Sequence, residues 1–232
     1  IVVVDSGSTD RTAEIADAAG AKVLHRDWTG FSDQKQFAAD SASNDWVLSI
    51  DADERVSEPL RDEIKALLDA GPDRDGYTIP RLSFYMDRPI RHSGWYPDRQ
   101  LRLFDRRKGR WNGRVIHESF ELSDSISGEL ENDLYHYSVD DAGHHHRMIG
   151  ERYAPLSAQQ MFEEGRKTSA INIAAAGPAA FLRHFLFRGG FLDGLPGYAI
   201  ARFAAHHAFL KHLMLYEMYR KAADDRPTSD NL

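Results

Sequence analysis

The sequence predicts an α/β fold in which helices flank a mostly parallel sheet. The first observation is a set of short apolar runs that each suit a buried strand: residues 1–5, 21–25 and 46–50. The second is a helical pattern between successive runs, at residues 12–19 and 34–42, because strand–helix–strand order is typical of parallel sheets. The third is that the first and last runs lead into carboxylates, and open α/β sheets bind ligands at the carboxyl ends of their strands.

The segments that follow continue this pattern. A helix is predicted from Ser57, which can cap it, through Pro59 in its first turn to about Asp69. Further strands are predicted at residues 76–85, 101–104, 115–120 and 134–138. We therefore predict one α/β domain over residues 1–140.

The C-terminal part of the chain is predominantly helical by its pattern. Breaks are predicted at residues 177–178, 189–190 and 194–197, and a last helix over residues 198–223. This helix mixes apolar, aromatic and basic side chains, which suits an element that lies on a membrane surface. Packing on the same domain or on a second subunit fits the pattern equally well. We predict a separate helical region over residues 141–232, with membrane association left open.

Length and composition limit the possible classes of protein. The 232 residues are 42% hydrophobic and 28% charged, which is typical of a globular chain. The absence of cysteine excludes disulfides and cysteine–zinc sites, and a net charge of −7 argues against a nucleic-acid partner. No apolar run reaches the roughly 18 residues of a membrane-spanning helix. Because the chain begins abruptly with a strand pattern, we expect an N-terminal truncation that removes an upstream strand and helix.

The carboxylates after the third apolar run, Asp51 and Asp53, are candidates for a metal site. In extended backbone, side chains two residues apart point to the same side. Two hard oxygen ligands at the mouth of a sheet suit Mg²⁺ or Mn²⁺, which usually take one or two carboxylates together with substrate phosphates. An acidic turn that leads into a helix cap fits the same residues, and Asp-x-Asp alone is a weak motif.

Arginine is concentrated between residues 81 and 114, with Trp95, Tyr96 and Trp111 interleaved. Exposed arginines usually form a solvated surface. A binding surface for a phosphate-bearing or acidic acceptor is the functional alternative, because guanidinium groups match phosphate and carboxylate geometry. The composition leaves both interpretations open.

Several motifs occur together at a distinctive spacing. The first two are IVVVDSGSTD at residues 1–10 and DADE at residues 51–54. Others lie at residues 30–38, 94–98, 101–104, 115–118, 134–138, 190–194 and 209–211. The first two resemble the family-2 glycosyltransferases, whose nucleotide-sugar half is a GT-A, Rossmann-like sheet. The full set is similar to the lipopolysaccharide-core branch of that family, near the β-1,4-glucosyltransferases of the inner core.

The resemblance implies a donor site near the predicted strand ends. Asp5 matches an aspartate that contacts the base or ribose of the nucleotide. Asp51 and Asp53 match the motif that bridges Mg²⁺ or Mn²⁺ to the donor diphosphate. Gln34 and Lys35 match a helix start near the donor, where the positive end of the helix would favour phosphate.

The resemblance also implies the residues that would act on the acceptor. His117 and Glu118 match a His-Glu pair, and we predict Glu118 as the base that takes the acceptor proton, with Asp98 as the second candidate. An exposed strand carboxylate is the alternative for Glu118. Trp95 is predicted to stack on a sugar, or else to be a half-buried core aromatic.

Two further site residues are predicted. Within the basic stretch, Arg102 is predicted to bind the acceptor. His136 would complete the metal shell, although a hydrogen-bonded strand histidine is the more ordinary role for such a residue.

The implied activity is metal-dependent, inverting transfer of a sugar from a nucleotide-sugar, with a UDP-sugar the expected donor. The implied acceptor is a lipid-linked or lipopolysaccharide-core saccharide at the inner face of the cytoplasmic membrane. A membrane-bound protein of the same fold without turnover is the alternative. A sugar nucleotidyltransferase ranks last, because no glycine-rich, basic phosphate loop follows the first predicted strand.

Overall fold

A computed structural model describes residues 1–114, 118–123 and 127–224. The chain divides into two compact units. Unit 1 comprises Ile1–Arg81 and Asp98–Tyr135, and unit 2 comprises Leu82–Pro97 and His136–Leu232. The predicted boundary at residue 140 stays a prediction.

The described residues form the following strands: β1 (Val2–Asp5), β2 (Lys22–His25), β3 (Trp46–Leu48), β4 (Glu54–Val56), β5 (Gly76–Tyr85), β6 (Arg88–Pro89), β7 (Asp98–Asp105), β8 (Gly109–Trp111), β9 (Phe120–Leu122), β10 (Ser127–Glu129) and β11 (Leu134–His136). The helices are α1 (Thr12–Ala18), α2 (Phe31–Asp40), α3 (Glu58–Ala70), α4 (Ala142–Arg147), α5 (Ala154–Glu163), α6 (Ala170–Leu182) and α7 (Leu195–Asp224). Wider helical turns over Met148–Tyr153 join α4 to α5, and similar turns over Arg183–Phe187 extend α6. The predicted α/β class with a helical C-terminal part is confirmed.

The strands pair in both directions. β1 and β2 are parallel, with Val2 opposite Lys22 and Asp5 opposite His25, as the strand–helix–strand pattern predicts. The larger sheet has the order β3-β7-β5-β11-β4, and β7 runs antiparallel to both β3 and β5. This sheet is therefore mixed rather than mostly parallel. The segment between β5 and β7, all of it within the described residues, holds β6, which pairs antiparallel with β5, and no helix. Parallel neighbours need a crossover connection, usually a helix, so β5 and β7 run antiparallel.

Helix α3 begins and ends at local sequence signals and packs into the core of unit 1. The Ser57 side chain accepts a hydrogen bond from the Leu60 backbone N–H (3.2 Å), and Gly71, at φ +83°, ends the helix. The predicted cap is thus confirmed. Leu60 and Ile64 face inward and pack with buried residues of β5, β7 and β11, among them Ile79. This packing anchors the segment that follows β4 and so holds the turn between β3 and β4 in place.

A second core cluster of unit 1 lies under α2. Phe104 of β7 is fully buried and stacks on Phe120 of β9, with ring centroids 3.7 Å apart. The Trp111 ring of β8 packs edge-on against both rings, with an interplanar angle of 80° in each pair. Ala39 of α2 completes the cluster. The cluster fixes α2 against β7, the two elements that carry Lys35 and Arg102 of the site described below.

In unit 2, α6 continues through Gly177 and Pro178, where the sequence predicted a break. Gly177 is buried, and a Cβ atom at this position would lie 3.3 Å from the Ala205 carbonyl oxygen. The glycine therefore allows close approach of α7 and does not end α6. The other two predicted breaks are confirmed, since Gly189 and Gly194 have φ values of +67° and +69° between α6 and α7.

By length and composition, one helical segment of the described residues is apolar enough to cross a membrane. It covers Ala170–Phe187, and only 6% of this segment is buried within the structure. The sequence does not predict it as one apolar run, because Asn172, Arg183 and His184 interrupt the apolar residues.

A buried histidine in unit 2 should make stability depend on pH. His145 of α4 packs against Tyr85 and Phe203 and is 9% exposed. Burial, with a smaller effect of nearby His144, lowers the pKa of His145 to about 4. In the unfolded chain a histidine titrates near 6.5.

Between these two values the unfolded chain binds a proton that the folded protein does not. Folding stability should therefore fall as the pH drops from 6.5 towards 4, by about 2 kcal/mol between pH 7 and pH 5. Urea unfolding of the parent and of His145→Leu at both pH values measures this contribution. The difference in free energy of unfolding between the parent and His145→Leu should change by that amount between the two pH values. An equal difference at both pH values would contradict the prediction.

Candidate functional site

The turn between β3 and β4 carries the acidic motif in unit 1. The backbone N–H of Ser49, just after β3, donates to the Arg102 carbonyl of β7 (2.8 Å). The Glu54 N–H then donates to the Asp51 carbonyl (3.0 Å), and the Asp51 N–H donates to Glu54 Oε2 (2.8 Å). These reciprocal bonds close the turn and fix the backbone from which the Asp51 side chain projects.

Lys35 of α2 joins two of the predicted site carboxylates. Its Nζ lies 2.8 Å from Asp51 Oδ1 and 3.1 Å from Glu118 Oε1. The ammonium also lies 5.1 Å from the centre of the Trp111 ring, and the Lys35 side chain is only 16% exposed. The structure thus brings together Lys35, Asp51 and Glu118, three residues that the sequence assigned to one site.

On its other side Asp51 contacts a buried arginine. Arg102 Nη2 lies 2.6 Å from Asp51 Oδ2 and 2.5 Å from Glu54 Oε1. Arg81 Nη1 reaches the same Glu54 oxygen (3.2 Å), and Arg81 Nε donates to Asp98 Oδ2 (2.9 Å). These residues form one line of alternating charge, which we call the ionic ladder: Glu118, Lys35, Asp51, Arg102, Glu54, Arg81 and Asp98.

The charges around Asp51 keep its carboxylate ionised. Burial would raise the pKa of Asp51, but the Arg102 guanidinium and the Lys35 ammonium outweigh burial and hold it below its usual range. Asp51 is therefore a fixed anion at neutral pH, and each of its oxygens faces a cation.

Asp5 and Gln34 lie around the loops that follow β1 and β2. Asp5 accepts hydrogen bonds from the N–H groups of Gly7 (3.0 Å) and Ser8 (3.1 Å) and from the Ser8 hydroxyl. The Ser8 hydroxyl and these backbone groups lower the pKa of Asp5. The Gln34 side-chain amide donates to Ser6 Oγ (3.0 Å) and to the Asp27 carbonyl (2.8 Å). Gln34 is 7% exposed, so it ties α2 to these loops.

The predicted metal ligands fit a divalent ion in part. Asp53 lies exposed in the same turn as Asp51. Within residues 1–114, 118–123 and 127–224, no group of three or more His, Cys, Asp or Glu side chains is arranged around a common point for a metal. Two carboxylates of one turn are hard oxygen ligands, and this set suits an ion that takes its remaining ligands from diphosphate and water.

The other predicted site residues have different surroundings. Arg102 is 4% exposed and faces carboxylates, which argues against contact with an acceptor. In unit 2, the His136 Nδ1 lies 3.2 Å from Ser83 Oγ, and Trp95 packs against Tyr85 and His145 in a core cluster. His117 lies outside the described residues. The roles predicted for Trp95 and His136 stay predictions.

Two members of the ladder, Glu54 and Arg81, are not predicted as site residues from the sequence. Glu54 belongs to the acidic motif but was not assigned a role, and Arg81 was grouped with the other arginines of the basic stretch. The available signal was the position of Glu54 directly after Asp53, where a strand begins. Its charge partners are 27 and 48 residues away, so the motif alone does not identify them.

Comparison with known proteins decides the family. The sequence model of Glycosyl transferase family 2 matches residues 1–122, more than half of the chain. The chain belongs to glycosyltransferase family 2. It is also 31% identical to the "Lipopolysaccharide core biosynthesis glycosyltransferase LpsC" of Rhizobium meliloti, over all of this chain and 87% of that protein. This match confirms the resemblance to the lipopolysaccharide-core branch.

Other known proteins are similar over nearly the whole chain. An uncharacterized glycosyltransferase of Rickettsia bellii is 29% identical over 94% of this chain and 77% of its own length. Among solved structures, Staphylococcus aureus TarS (residues 1–349) aligns with 95% of this chain and 82% of that chain, at 15% identity and a TM-score of 0.45.

Family membership makes this protein a glycosyltransferase, an enzyme that moves a sugar from a nucleotide-sugar donor to a saccharide acceptor. The expectation of an enzyme is confirmed, and the alternative without turnover is set aside. The motifs at residues 1–10 and 51–54 both fall within the segment that matches the family.

Proposed function

We propose that this family 2 enzyme transfers a sugar, with inversion and with help from a divalent metal, to a lipid-linked saccharide of the cell envelope. A lipopolysaccharide-core saccharide is the acceptor we favour, because the LpsC relative carries that name and matches the whole chain. A UDP-sugar is the donor expected from the family resemblance.

One observation carries the proposal: the Lys35 ammonium contacts both Asp51 and Glu118. Asp51 is the predicted donor-side carboxylate and Glu118 the predicted base. Transfer requires the diphosphate leaving group and the attacking hydroxyl to lie on opposite sides of one anomeric carbon, a few ångströms apart. Two carboxylates that share one ammonium meet this requirement of proximity.

In this mechanism the acceptor hydroxyl oxygen attacks the anomeric carbon and forms the new glycosidic bond. The bond from that carbon to the diphosphate oxygen breaks, and its electron pair leaves with the nucleoside diphosphate. Glu118 takes the hydroxyl proton during attack, which raises the nucleophilicity of the oxygen. Lys35 lies where its positive charge can stabilise the departing diphosphate.

Asp51 and Asp53 are the residues that would hold Mg²⁺ or Mn²⁺. The ion would supply positive charge to the leaving diphosphate. Both Asp51 oxygens already face Lys35 and Arg102, so its affinity for a free ion should be low. Metal and nucleoside diphosphate should therefore bind together, each raising the affinity for the other.

Nucleotide titration tests this site. Calorimetry with UDP, ADP and GDP, with and without Mn²⁺, should give binding of one nucleotide that depends on Mn²⁺. Asp53→Ala should abolish the nucleotide binding that depends on Mn²⁺. Asp62→Ala, an exposed carboxylate of α3, is the matched control and should bind like the parent. Parent-like binding by Asp53→Ala would contradict the metal role, and no binding of any nucleotide would contradict the donor site.

We propose membrane contact through an apolar crest in unit 2, which runs from the last residue of α6 to the first residue of α7. Its exposed members are Leu182, Leu186, Phe187, Phe191, Leu192 and Leu195. Phe187 is 84% exposed, and Arg183 and Arg188 are exposed in the same segment. Exposed apolar side chains next to arginines suit the interface of a membrane that contains anionic lipid.

Vesicle co-sedimentation tests the crest. Phe187→Ser should weaken binding to vesicles of mixed neutral and anionic phospholipid by about tenfold or more, because burying a phenylalanine contributes about 1.5–3 kcal/mol. Ile15→Ser removes an apolar side chain of α1 that is 60% exposed, and should bind like the parent. Equal binding of Phe187→Ser and the parent would rule out this surface.

A further inference from the structure

Glu54 is a buried carboxylate that the proposed mechanism does not use. Its side chain is fully buried, although an isolated buried charge is costly. Glu54 Oε1 accepts hydrogen bonds from Arg102 (2.5 Å) and Arg81 (3.2 Å), and Oε2 accepts from the Asp51 backbone N–H (2.8 Å). Both carboxylate oxygens are thus engaged, in each case as acceptors.

The two arginines lead away from Glu54 to different site carboxylates. Arg102 continues to Asp51 on the donor side. Arg81 continues to Asp98, whose second oxygen accepts from the Gln100 side-chain amide (2.8 Å). Glu54 therefore lies between two site carboxylates, two steps along the ladder from Asp98, a candidate for acceptor chemistry, and two steps from Asp51 on the donor side.

We infer that Glu54 is a positioning residue that couples Asp51 to Asp98. It holds the guanidinium groups of Arg102 and Arg81 in one orientation, and each guanidinium in turn orients one carboxylate. A change at either end then alters the hydrogen bonds at the other. The functional meaning of this coupling rests on the proposed roles of Asp51 and Asp98, but the coupling itself is a property of the ladder.

The negative charge of Glu54, and not only its shape, is needed for this role. Glu54→Gln keeps the size of the side chain but replaces one oxygen by an NH₂ group. Because both Glu54 oxygens face N–H donors, the amide must place a donor against a donor on one side. Glutamine also leaves two guanidinium groups without the anion between them. At least one of the three hydrogen bonds that Glu54 accepts, from Arg81, from Arg102 or from the Asp51 N–H, should therefore be lost.

The coupling can be measured without any substrate. In ¹⁵N NMR spectra, the Arg81 side-chain Nε–H signal reports its hydrogen bond to Asp98 (2.9 Å). Asp51→Asn should shift this signal in the parent background, although Arg102 and Glu54 both lie between Asp51 and Arg81 along the ladder. The same substitution should leave the signal unmoved when Glu54→Gln is already present. An unmoved signal in the parent background would overturn the inference.

Nucleotide binding gives the functional readout. Arg81→Gln changes the ladder on the far side of Glu54 from Asp51, at a side chain that is less buried (18% exposed) than Arg102 (5%) or Glu54 (0%). It should weaken binding of UDP with Mn²⁺ by about 10-fold, and by much less in the Glu54→Gln background. Glu58→Gln, an exposed carboxylate in the first turn of α3, is the matched control and should change neither the Nε–H signal nor UDP binding.

The two readouts separate this inference from the proposed function. If the Nε–H signal responds through Glu54 while the parent binds no nucleotide, the coupling stands and the donor assignment fails. If UDP binds with Mn²⁺ in the parent but Arg81→Gln has the same effect with and without Glu54, the donor site stands and the coupling role of Glu54 fails.

Discussion

Glu118→Gln is expected to lower kcat by about 10²- to 10⁴-fold while nucleotide affinity stays close to that of the parent, because a general base contributes rate and not donor binding. Glutamine retains a hydrogen-bond acceptor for Lys35 but cannot take up the hydroxyl proton. The rate is measured as release of nucleoside diphosphate, with core lipopolysaccharide as the acceptor and the donor nucleotide chosen by titration.

The matched control for this prediction is three residues away. Glu121 of β9 is 57% exposed and contacts the Asn112 side-chain amide (3.2 Å) and Arg114 (3.9 Å). The Glu121→Gln enzyme should therefore release nucleoside diphosphate at the parental rate. Full activity of Glu118→Gln, with a loss of similar size in Asp98→Asn, would instead assign the base to Asp98.

Local signals were enough to predict most elements of unit 1. The strand predicted over residues 76–85 is β5, and the helix predicted from Ser57 is α3 with its cap. These elements are defined by neighbouring residues: the strand by its run of β-forming residues, and the helix by its cap and its terminal glycine. For the same reason the sequence predicted the parallel pairing of β1 and β2, where one short helix makes the crossover.

Long-range pairing could not be predicted in this way. The run at residues 46–50 suits a buried strand of either direction, and its antiparallel partner β7 lies about fifty residues later in the chain. The same distance separates Arg102 from Asp51, so nothing in the sequence shows that this arginine is buried among carboxylates. A resemblance identified the residue types of the site, whereas the ladder that orders them emerged only from the structure.

Lys35→Met is expected to weaken binding of a nucleoside diphosphate by about 10- to 100-fold, because a hydrogen bond from a charged group contributes about 1.5–3 kcal/mol. Affinity for the corresponding nucleoside, which lacks phosphate, should not change. Methionine keeps the apolar stem beside Trp111 but removes the ammonium that Asp51 and Glu118 share. Because both carboxylates are partly exposed, stability should fall by only about 1 kcal/mol.

The difference between nucleoside diphosphate and nucleoside distinguishes a phosphate contact from a general loss of structure. A misfolded site would weaken the binding of both ligands, whereas loss of one ammonium weakens only the binding of the ligand that carries phosphate. Lys65→Met removes an exposed lysine of α3 and should bind both ligands like the parent. If Lys35→Met bound the diphosphate as tightly as the parent, Lys35 would serve only to hold Asp51 and Glu118 together, and the charge that meets the leaving group would have to come from elsewhere in the site.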